Sequence, residues 1–202
     1  NGYVFRDDEQ RAQVMEWVNT KSIPHIILSG GPGVGKTTLA KLLINELGVL
    51  GHDTLELNAS RQRGIDIIRD RVTNFAGTIP FGEFKVVLLD EADYLTLDAQ
   101  AVMRGVMEEF ADNCRFIMTC NYPNKIMPAL HSRSQGIHIP KLDRIAFTER
   151  VATVLIEEGI ELDIDTLDSY VSASYPDLRK CLNSVQQNAI DGILHKPSER
   201  SV

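Results

Sequence analysis

The chain has 202 residues, of which 43% are hydrophobic and 24% charged, and its formal net charge at pH 7 is -7. This composition is typical of a globular protein and argues against a disordered segment, a collagen-like chain or a long coiled coil. The apolar runs are only strand-sized, far below the roughly 18 consecutive apolar residues of a membrane-spanning helix, so we expect no membrane partner.

The three cysteines, Cys114, Cys120 and Cys181, are odd in number and too widely spaced for a zinc-binding pattern. We expect small buried hydrophobic residues in a reducing compartment. That means the cytoplasm (of the host, for a viral protein) or the nucleus of a eukaryotic source, and not secretion. Because the sequence starts at Asn1 and no signal segment opens it, we expect its beginning to be missing.

The first 140 residues alternate between short β-branched runs and segments of helical length, which is typical of a parallel sheet with helices on its faces. Runs that are apolar throughout, such as Val86 to Leu89, indicate strands covered on both faces. We predict five strands, at Ile26 to Ser29, Thr54 to Asn58, Val86 to Asp90, Arg115 to Cys120 and Gly136 to Ile139. We predict helices at residues 7–20, 36–47, 64–76 and 98–110. Ligands of such sheets bind at the carboxyl ends of the strands.

The strand pattern stops at Pro140. Helical patterns follow at residues 143–158, 164–173 and 176–190, and Asp143 is a plausible N-cap of the first. We therefore predict an α/β domain over residues 1–140 and a small all-helical domain over residues 141–202.

Residues 30–37 read GGPGVGKT and match the phosphate-loop pattern G-x-x-x-x-G-K-[ST], placed between a predicted strand and a predicted helix. Glycines let backbone N–H groups converge on phosphate oxygens at a helix N-terminus. Lys36 then reaches the β- and γ-phosphates, and Thr37 holds Mg²⁺; the alternative is an ordinary turn. The residues predicted to bind ATP here are Gly31, Pro32, Gly33, Val34, Gly35, Lys36, Thr37 and Thr38.

Two carboxylates, Asp90 and Glu91, follow the apolar run Val86 to Leu89. Asp90 suits a carboxylate associated with Mg²⁺, and Glu91 suits a base that orients or deprotonates an attacking water. The alternative is a polar strand end or a helix cap. Because a small-molecule kinase needs the same loop but no hydrolytic glutamate, Glu91 favours an ATPase.

Further stretches accompany these motifs: Leu89 to Asp93, Asn58 to Ser60, Arg63 to Asp66, Arg104 with Met107 and Glu108, Thr119 to Asn121, Ser132 with Arg133, and Pro176 to Lys180. With them, the chain resembles the AAA+ ATPases of the sliding-clamp loaders, above all the small subunits of replication factor C and the corresponding large subunit of T4-type phages. The resemblance runs from about Pro24 to Gln187. It implies a P-loop AAA+ fold, in which a five-stranded parallel sheet flanked by helices precedes a small all-helical lid domain.

The resemblance also implies roles for three polar residues. Asn121 would contact the attacking water or the γ-phosphate, although an Asn in a turn is the alternative. Arg133 would act on the nucleotide of a neighbouring subunit, where a finger arginine is worth about 10³ to 10⁵ in rate; a surface arginine without a role is the alternative. Arg179 would contact the nucleotide in cis, and its alternative is a salt bridge of the lid helix.

The segment from Asn58 to Asp66 is similar to the one that clamp loaders present toward primer–template DNA. Lys and Arg contacts to phosphate give affinity that is independent of sequence, which suits a machine that works at any primer end. The implied DNA contacts are Arg61, Arg63, Gly64 and Arg69. Because Asp66 and Asp70 lie among these arginines, a solvated helix face with ion pairs is the alternative.

The chain departs from the family at three places. Ser134 replaces the cysteine that ends the finger motif, Arg61 and Gln62 replace two acids, and Gly105 replaces an arginine of the central helix. The adenine-contacting tract would precede the first residue, and the collar domain would follow the last.

The sequence thus predicts the ATPase core of a sliding-clamp loader subunit that uses ATP and Mg²⁺. Its expected partners are the other subunits of a ring, the sliding clamp and primer–template DNA. ATP binding would open the clamp and grip DNA, and hydrolysis would release both. Another AAA+ DNA-remodelling ATPase, such as a branch-migration helicase or a helicase loader, is one alternative. A module that binds ATP as a switch without hydrolysing it is the other.

Overall fold

The computed structural model describes residue 3 and residues 5–197. They form two compact units. The first holds the described residues up to Gly30 together with Lys36–Ile139, and the second holds Gly31–Gly35 together with the described part of Pro140–Val202. Within the described ranges, no helix has the length and apolarity needed to cross a membrane.

The first unit is built on one parallel sheet with the strand order β2-β3-β4-β1-β5. Every strand begins and ends within one residue of its predicted bounds. The elements are α1 (Asp8–Thr20), β1 (Ile26–Ser29), α2 (Lys36–Glu46), β2 (Thr54–Asn58), a π-helical segment (Ile67–Val72) followed by α3 (Thr73–Gly77), β3 (Lys85–Asp90), α4 (Leu97–Glu109), β4 (Cys114–Cys120), α5 (Pro128–His131) and β5 (Gln135–His138).

The sheet is covered on both faces, as its apolar strands predict. Val87 and Leu89 of β3 belong to one hydrophobic cluster with Met103 of α4. Val86 and Leu88 alternate with them along the strand and are equally buried. Since successive side chains of a strand point to opposite faces, burial of all four requires a packed layer on each side.

Parallel pairing brings the carboxyl ends of the strands to one edge of the sheet. Ser29, the last residue of β1, lies opposite Cys120 at the end of β4. Asn58, the last residue of β2, lies opposite Asp90 at the end of β3. This edge carries the polar residues of the candidate site.

The helix predicted at residues 64–76 is present, but its middle, Ile67–Val72, has π-helical hydrogen bonding. Ile68 and Val72 are fully buried, whereas Arg69 is exposed. Short π-helical stretches are rare in proteins and occur frequently at functional sites. The period of the apolar residues could not reveal the wider turn, because both helix types bury one face.

The described part of the second unit contains three helices, α6 (Arg144–Glu157), α7 (Ile164–Ser174) and α8 (Leu178–Asn188). Each helix is capped by an aspartate, Asp143, Asp163 or Asp177, whose side chain accepts a hydrogen bond from a backbone N–H of the first turn. Such caps satisfy backbone donors that have no partner within the helix.

The expectation that this unit is all-helical is wrong in one respect. The last helix stops at Asn188, and Ala189–Ile190 (β6) pairs antiparallel with Ile193–Leu194 (β7). Asp191 and Gly192 form the connecting turn with φ of 52° and 77°. Asp-Gly favours a two-residue hairpin turn with positive φ, and this local signal outweighs the helical period that predicted a helix to residue 190.

Candidate active site

The glycine-rich loop follows β1 and leads into α2, in the strand–loop–helix context that the motif predicts. Gly33 and Gly35 have φ of 73° and 94°, a region that residues with a side chain rarely adopt. Their conformations turn the chain sharply before α2 begins at Lys36. The first N–H groups of an α-helix have no partner inside the helix and can bind anions.

Lys36 joins this loop to the end of β4. The residue is buried, with an exposed fraction of 8%. The Nζ atom donates hydrogen bonds to the Gly30 carbonyl (3.0 Å) and to Asn121 Oδ1 (2.8 Å). The structure thus brings together two predicted site residues that are 85 positions apart in the sequence.

Thr37 and Asp90 also meet, since the Thr37 hydroxyl donates to Asp90 Oδ1 at 2.7 Å. Mg²⁺ prefers hard oxygen ligands and usually takes one or two from the protein, with water and substrate phosphates as the others. Within the described residues, no group of three or more His, Cys, Asp or Glu side chains could hold a metal by itself. A hydroxyl and a carboxylate supply such oxygen atoms, so the Thr37–Asp90 pair fits Mg²⁺ whose other ligands are water and phosphate.

Glu91 has a backbone conformation that is unusual for a residue with a side chain, with φ of 58° and ψ of 43°. Its N–H donates to the Thr119 hydroxyl at 3.0 Å. A non-glycine residue in this region costs about 1 to 3 kcal/mol and persists where its surroundings fix it, often at functional sites.

Two residues that shape this edge, Thr119 and Asp93, were noted from the sequence only within longer motifs and without a role of their own. Thr119 is 1% exposed and donates to Asp90 Oδ1 at 2.6 Å. Asp93 accepts from the backbone N–H groups of Asn121 (3.4 Å) and Tyr122 (3.3 Å), and so fixes the chain after β4. The available signal was a polar residue in or beside an otherwise apolar run.

The thiol of Cys120, which lies between Thr119 and Asn121 in the sequence, is unreactive. Burial, with the charge of Asp93 acting in the same direction, raises the pKa of Cys120 to about 11. A thiol with that pKa is neutral near pH 7 and a poor nucleophile. Cys114, Cys120 and Cys181 are all free and buried, which confirms them as small core residues.

Arg133 follows α5, and its side chain forms hydrogen bonds with α4 and α5. Its Nε atom donates to Glu108 Oε1 of α4 at 2.8 Å, and its Nη1 atom donates to the Ala129 carbonyl at 2.7 Å. None of these partners belongs to residues 30–37 or to the two acids. Arg179 is exposed on the first turn of α8, and its contact with a nucleotide stays a prediction.

The predicted DNA segment starts at the same edge of the sheet. The Ala59 N–H donates to the Asp90 carbonyl at 2.8 Å. Asn58 Oδ1 accepts from the N–H groups of Ser60 and Arg61 at 3.0 and 3.3 Å. The segment that carries the arginines is therefore anchored beside Asp90.

The four arginines of this region, Arg61, Arg63, Arg69 and Arg71, are exposed. Over residues 5–197, the ion pairs found are Arg6–Asp7, Lys41–Glu56, Arg133–Glu108 and Arg144–Asp168, so none joins this cluster to Asp66 or Asp70. Arg71 instead donates to Gln62 Oε1 at 3.0 Å. This finding argues against a face of internal ion pairs.

A model of the ATPase family associated with various cellular activities (AAA) matches residues 26–140, which is more than half of the chain. The chain belongs to the AAA family. The predicted P-loop AAA+ fold is therefore confirmed, and the matched region contains the loop, both acids, Asn121 and Arg133.

Curated relatives of this AAA chain include two archaeal proteins named replication factor C small subunit. The one from Methanosarcina mazei is 40% identical over 98% of this chain and 60% of its own length. The one from Methanococcus maripaludis is 41% identical over 88% of this chain and 58% of its own length. The resemblance recognised from the motifs is confirmed, and the chain spans about three fifths of the relatives that it matches.

Among solved structures, the Thermotoga maritima RuvB Holliday junction branch migration motor has a similar fold. Its TM-score is 0.73 at 15% identity, over 91% of this chain and 63% of that one. At this identity the likeness concerns the fold.

Proposed function

We propose that this AAA chain is the ATP-hydrolysing part of a sliding-clamp loader subunit. One observation carries the chemistry: Lys36 donates to Asn121 and Thr37 donates to Asp90, so the last two residues of the phosphate-loop motif lie against the proposed metal-binding acid and the polar end of β4. The names of the relatives at 40% identity support the choice of clamp loader among AAA functions.

In the proposed reaction, the backbone N–H groups of Gly31 and of residues 33–38 bind the phosphates of ATP. Lys36 exchanges its bonds to Gly30 and Asn121 for phosphate oxygens, which frees the Asn121 amide for the γ-phosphate or the attacking water. Thr37 and Asp90 would hold Mg²⁺, which when bound would neutralise negative charge on the phosphates.

Glu91 orients the water and accepts its proton as the water oxygen bonds to the γ-phosphorus. The bond between that phosphorus and the β–γ bridging oxygen breaks, and the products are ADP and phosphate. Arg179 contacts the nucleotide in cis, whereas Arg133 reaches the nucleotide of a neighbouring subunit and stabilises the charge of the transition state. The partners of Arg133 within its own chain, Glu108 and Ala129, are consistent with a role in trans.

The remaining partners follow from the same proposal. Arg61, Arg63, Gly64 and Arg69 contact phosphates of primer–template DNA, and the ring opens the sliding clamp when ATP is bound. Hydrolysis releases both. The buried free thiols suit a reducing compartment, the cytoplasm or the nucleus, where DNA is replicated.

The test is the steady-state ATPase rate of the full-length protein assembled with its partner subunits. The rate is measured with and without primed DNA and purified clamp, for the wild type and Arg133→Ala. We expect a slow rate from the unassembled subunit, stimulation of the assembly by both ligands, and loss of that stimulation in the variant.

An ATPase rate that is the same with and without the clamp, and the same in the wild type and Arg133→Ala, would contradict the clamp-loader function. Stimulation by DNA alone would instead favour another DNA-remodelling ATPase of the family. Arg11→Ala serves as the control, because Arg11 is an exposed arginine of α1 remote in sequence from every site residue.

A further inference from the structure

Thr119 is a buried hydroxyl in a strand whose other inward positions are apolar. It lies between Met118 and Cys120, and all three are at most 1% exposed. Buried hydroxyls need hydrogen-bond partners, and this one has two that are adjacent in the sequence: the Asp90 carboxylate and the Glu91 N–H.

The direction of both bonds is fixed by chemistry. A backbone N–H can only donate, so the Thr119 oxygen accepts from Glu91 N at 3.0 Å. Its single hydroxyl hydrogen is then available for Asp90 Oδ1 at 2.6 Å. One side chain thus orients the carboxylate of the first acid and the backbone of the second at the same time.

Each of these two hydrogen bonds restrains a group whose orientation matters in the proposed reaction. Asp90 Oδ1 also accepts from the Thr37 hydroxyl, so Thr119 fixes the carboxylate of the pair that fits Mg²⁺. Glu91 has φ of 58°, and the bond from its N–H holds this conformation, which directs the following side chain.

We propose that Thr119 is a positioning residue that sets the orientation of both acids, the Mg²⁺ ligand and the base, from the neighbouring strand. The inference rests on the proposed ATPase function of this site. Thr119 contacts neither the phosphates nor the attacking water. Hydrogen-bonded partners of metal ligands typically change metal affinity or activity by about 10- to 100-fold when they are removed.

Three variants of the full-length protein separate positioning from packing. Thr119→Val keeps the shape of the side chain and removes the hydroxyl, Thr119→Ser keeps the hydroxyl, and Thr119→Cys puts a weakly bonding thiol in a side chain of serine-like size. Thr166→Val is the matched control, because Thr166 is also buried and its hydroxyl bonds to Asp163, an aspartate with no proposed part in the reaction.

The first readout is the affinity for fluorescent ADP over a series of Mg²⁺ concentrations, with thermal unfolding measured in parallel. We expect Thr119→Val to keep the affinity measured without Mg²⁺ and to need about 10- to 100-fold more Mg²⁺ for the metal-dependent part. Thr119→Ser restores most of the Mg²⁺ response, and Thr166→Val behaves as wild type. If Thr119→Val does not fold, Thr119→Cys must show the same loss.

The second readout is single-turnover hydrolysis at saturating ATP and Mg²⁺. There we expect a slower chemical step in Thr119→Val with little change in KM, because the position of Glu91 is disturbed and the phosphate contacts are not.

The proposal is overturned if folded Thr119→Val and Thr119→Cys match the wild type in both readouts. It is also overturned if they lose nucleotide affinity without Mg²⁺ in proportion to a loss of thermal stability, since that is the signature of packing. Failure of the proposed function is distinct, because the wild type itself would then show no Mg²⁺-dependent nucleotide binding or hydrolysis.

Discussion

Glu91 combines a costly backbone conformation with a position beside Asp90, the proposed Mg²⁺ ligand. The chain maintains φ of 58° there although most residues avoid it. Such a conformation is often found at functional sites, where it holds a side chain in one direction. This agrees with the proposed role of the Glu91 carboxylate as base.

We expect Glu91→Gln to bind ATP and Mg²⁺ like the wild type and to hydrolyse ATP at least about 100-fold more slowly. The reason is that the amide cannot accept a proton, whereas its shape and backbone demands are unchanged. Binding is measured by fluorescence titration and hydrolysis in single-turnover experiments.

The control for this prediction is Glu109→Gln, which alters an exposed carboxylate at the end of α4. An unchanged hydrolysis rate in Glu91→Gln would remove the base from the mechanism. If the wild type also bound ATP without hydrolysing it, an ATP-switched interaction module would be favoured.

The buried hydroxyl of Ser134 is unfavourable for the stability of the fold. Its hydroxyl oxygen is buried and, among the described residues, has no hydrogen-bond partner. The motif of the family has a cysteine at this place, and a thiol tolerates such a pocket better because it is a weaker hydrogen-bonding group.

We expect Ser134→Ala and Ser134→Cys to raise the free energy of unfolding by about 1 kcal/mol, because an unpaired buried hydroxyl is destabilising by about that amount. Urea unfolding of the full-length protein measures the change. Ser132→Ala should behave in the opposite way, since the Ser132 hydroxyl donates to the Ala129 carbonyl at 3.1 Å. Destabilisation of Ser134→Ala would mean that the hydroxyl has a partner in solution.

Among the elements, the parallel strands were predicted closely because a run such as Val86 to Leu89 is apolar at every position. The phosphate loop and the two acids were found because their spacing is local. The role of Thr119 was not predicted, since its hydrogen-bond partners depend on the register of β4 beside β3. The pairing of Arg133 with Glu108 depends likewise on packing between helices.

The Asp191-Gly192 turn determines that the chain forms a β-hairpin after α8. Gly192 has φ of 77°, and a Cβ there would meet only the Gly159 carbonyl at 3.9 Å, so the constraint is conformational and not steric crowding. Gly105 lies within α4 and a Cβ there would meet nothing within 4 Å.

The two glycines should therefore respond to alanine with opposite signs. We expect Gly192→Ala to destabilise the protein by about 1 kcal/mol, because the left-handed conformation is less favourable for alanine than for glycine. Gly105→Ala should stabilise it by about 0.5 to 1 kcal/mol, the helix propensity of alanine over glycine. Thermal unfolding measures both, and equal signs would contradict the assigned conformations.

For the molecule as a whole, the distribution of charge matters more than its sum. The net charge is -7, and residues 143–202 contribute 11 acidic and 6 basic residues to it. The exposed arginines around residues 61–71 therefore form a cationic region on an acidic protein. Phosphate contacts from such a region give affinity that falls steeply with salt.

We expect Arg63→Ala and Arg69→Ala each to weaken binding of primed DNA by the assembled full-length protein about equally for unrelated sequences. Each should also lower the slope of log affinity against log salt by about 1, the value for one lost phosphate contact. Fluorescence anisotropy over a salt series measures both quantities. Arg11→Ala is the control, and an unchanged slope in Arg63→Ala and Arg69→Ala would exclude these arginines from the DNA contact.

The edges of the sheet have a consequence for self-association. The outer strand β2 has five residues and carries the exposed Glu56, which pairs with Lys41 Nζ at 2.7 Å. The other outer strand, β5, has four residues, and Gln10 Nε2 of α1 donates to its His138 carbonyl at 3.1 Å. Short, charged or occupied edges discourage strand addition between molecules. At high concentration, copies of this chain are therefore expected not to nucleate fibrils through the edges of this sheet.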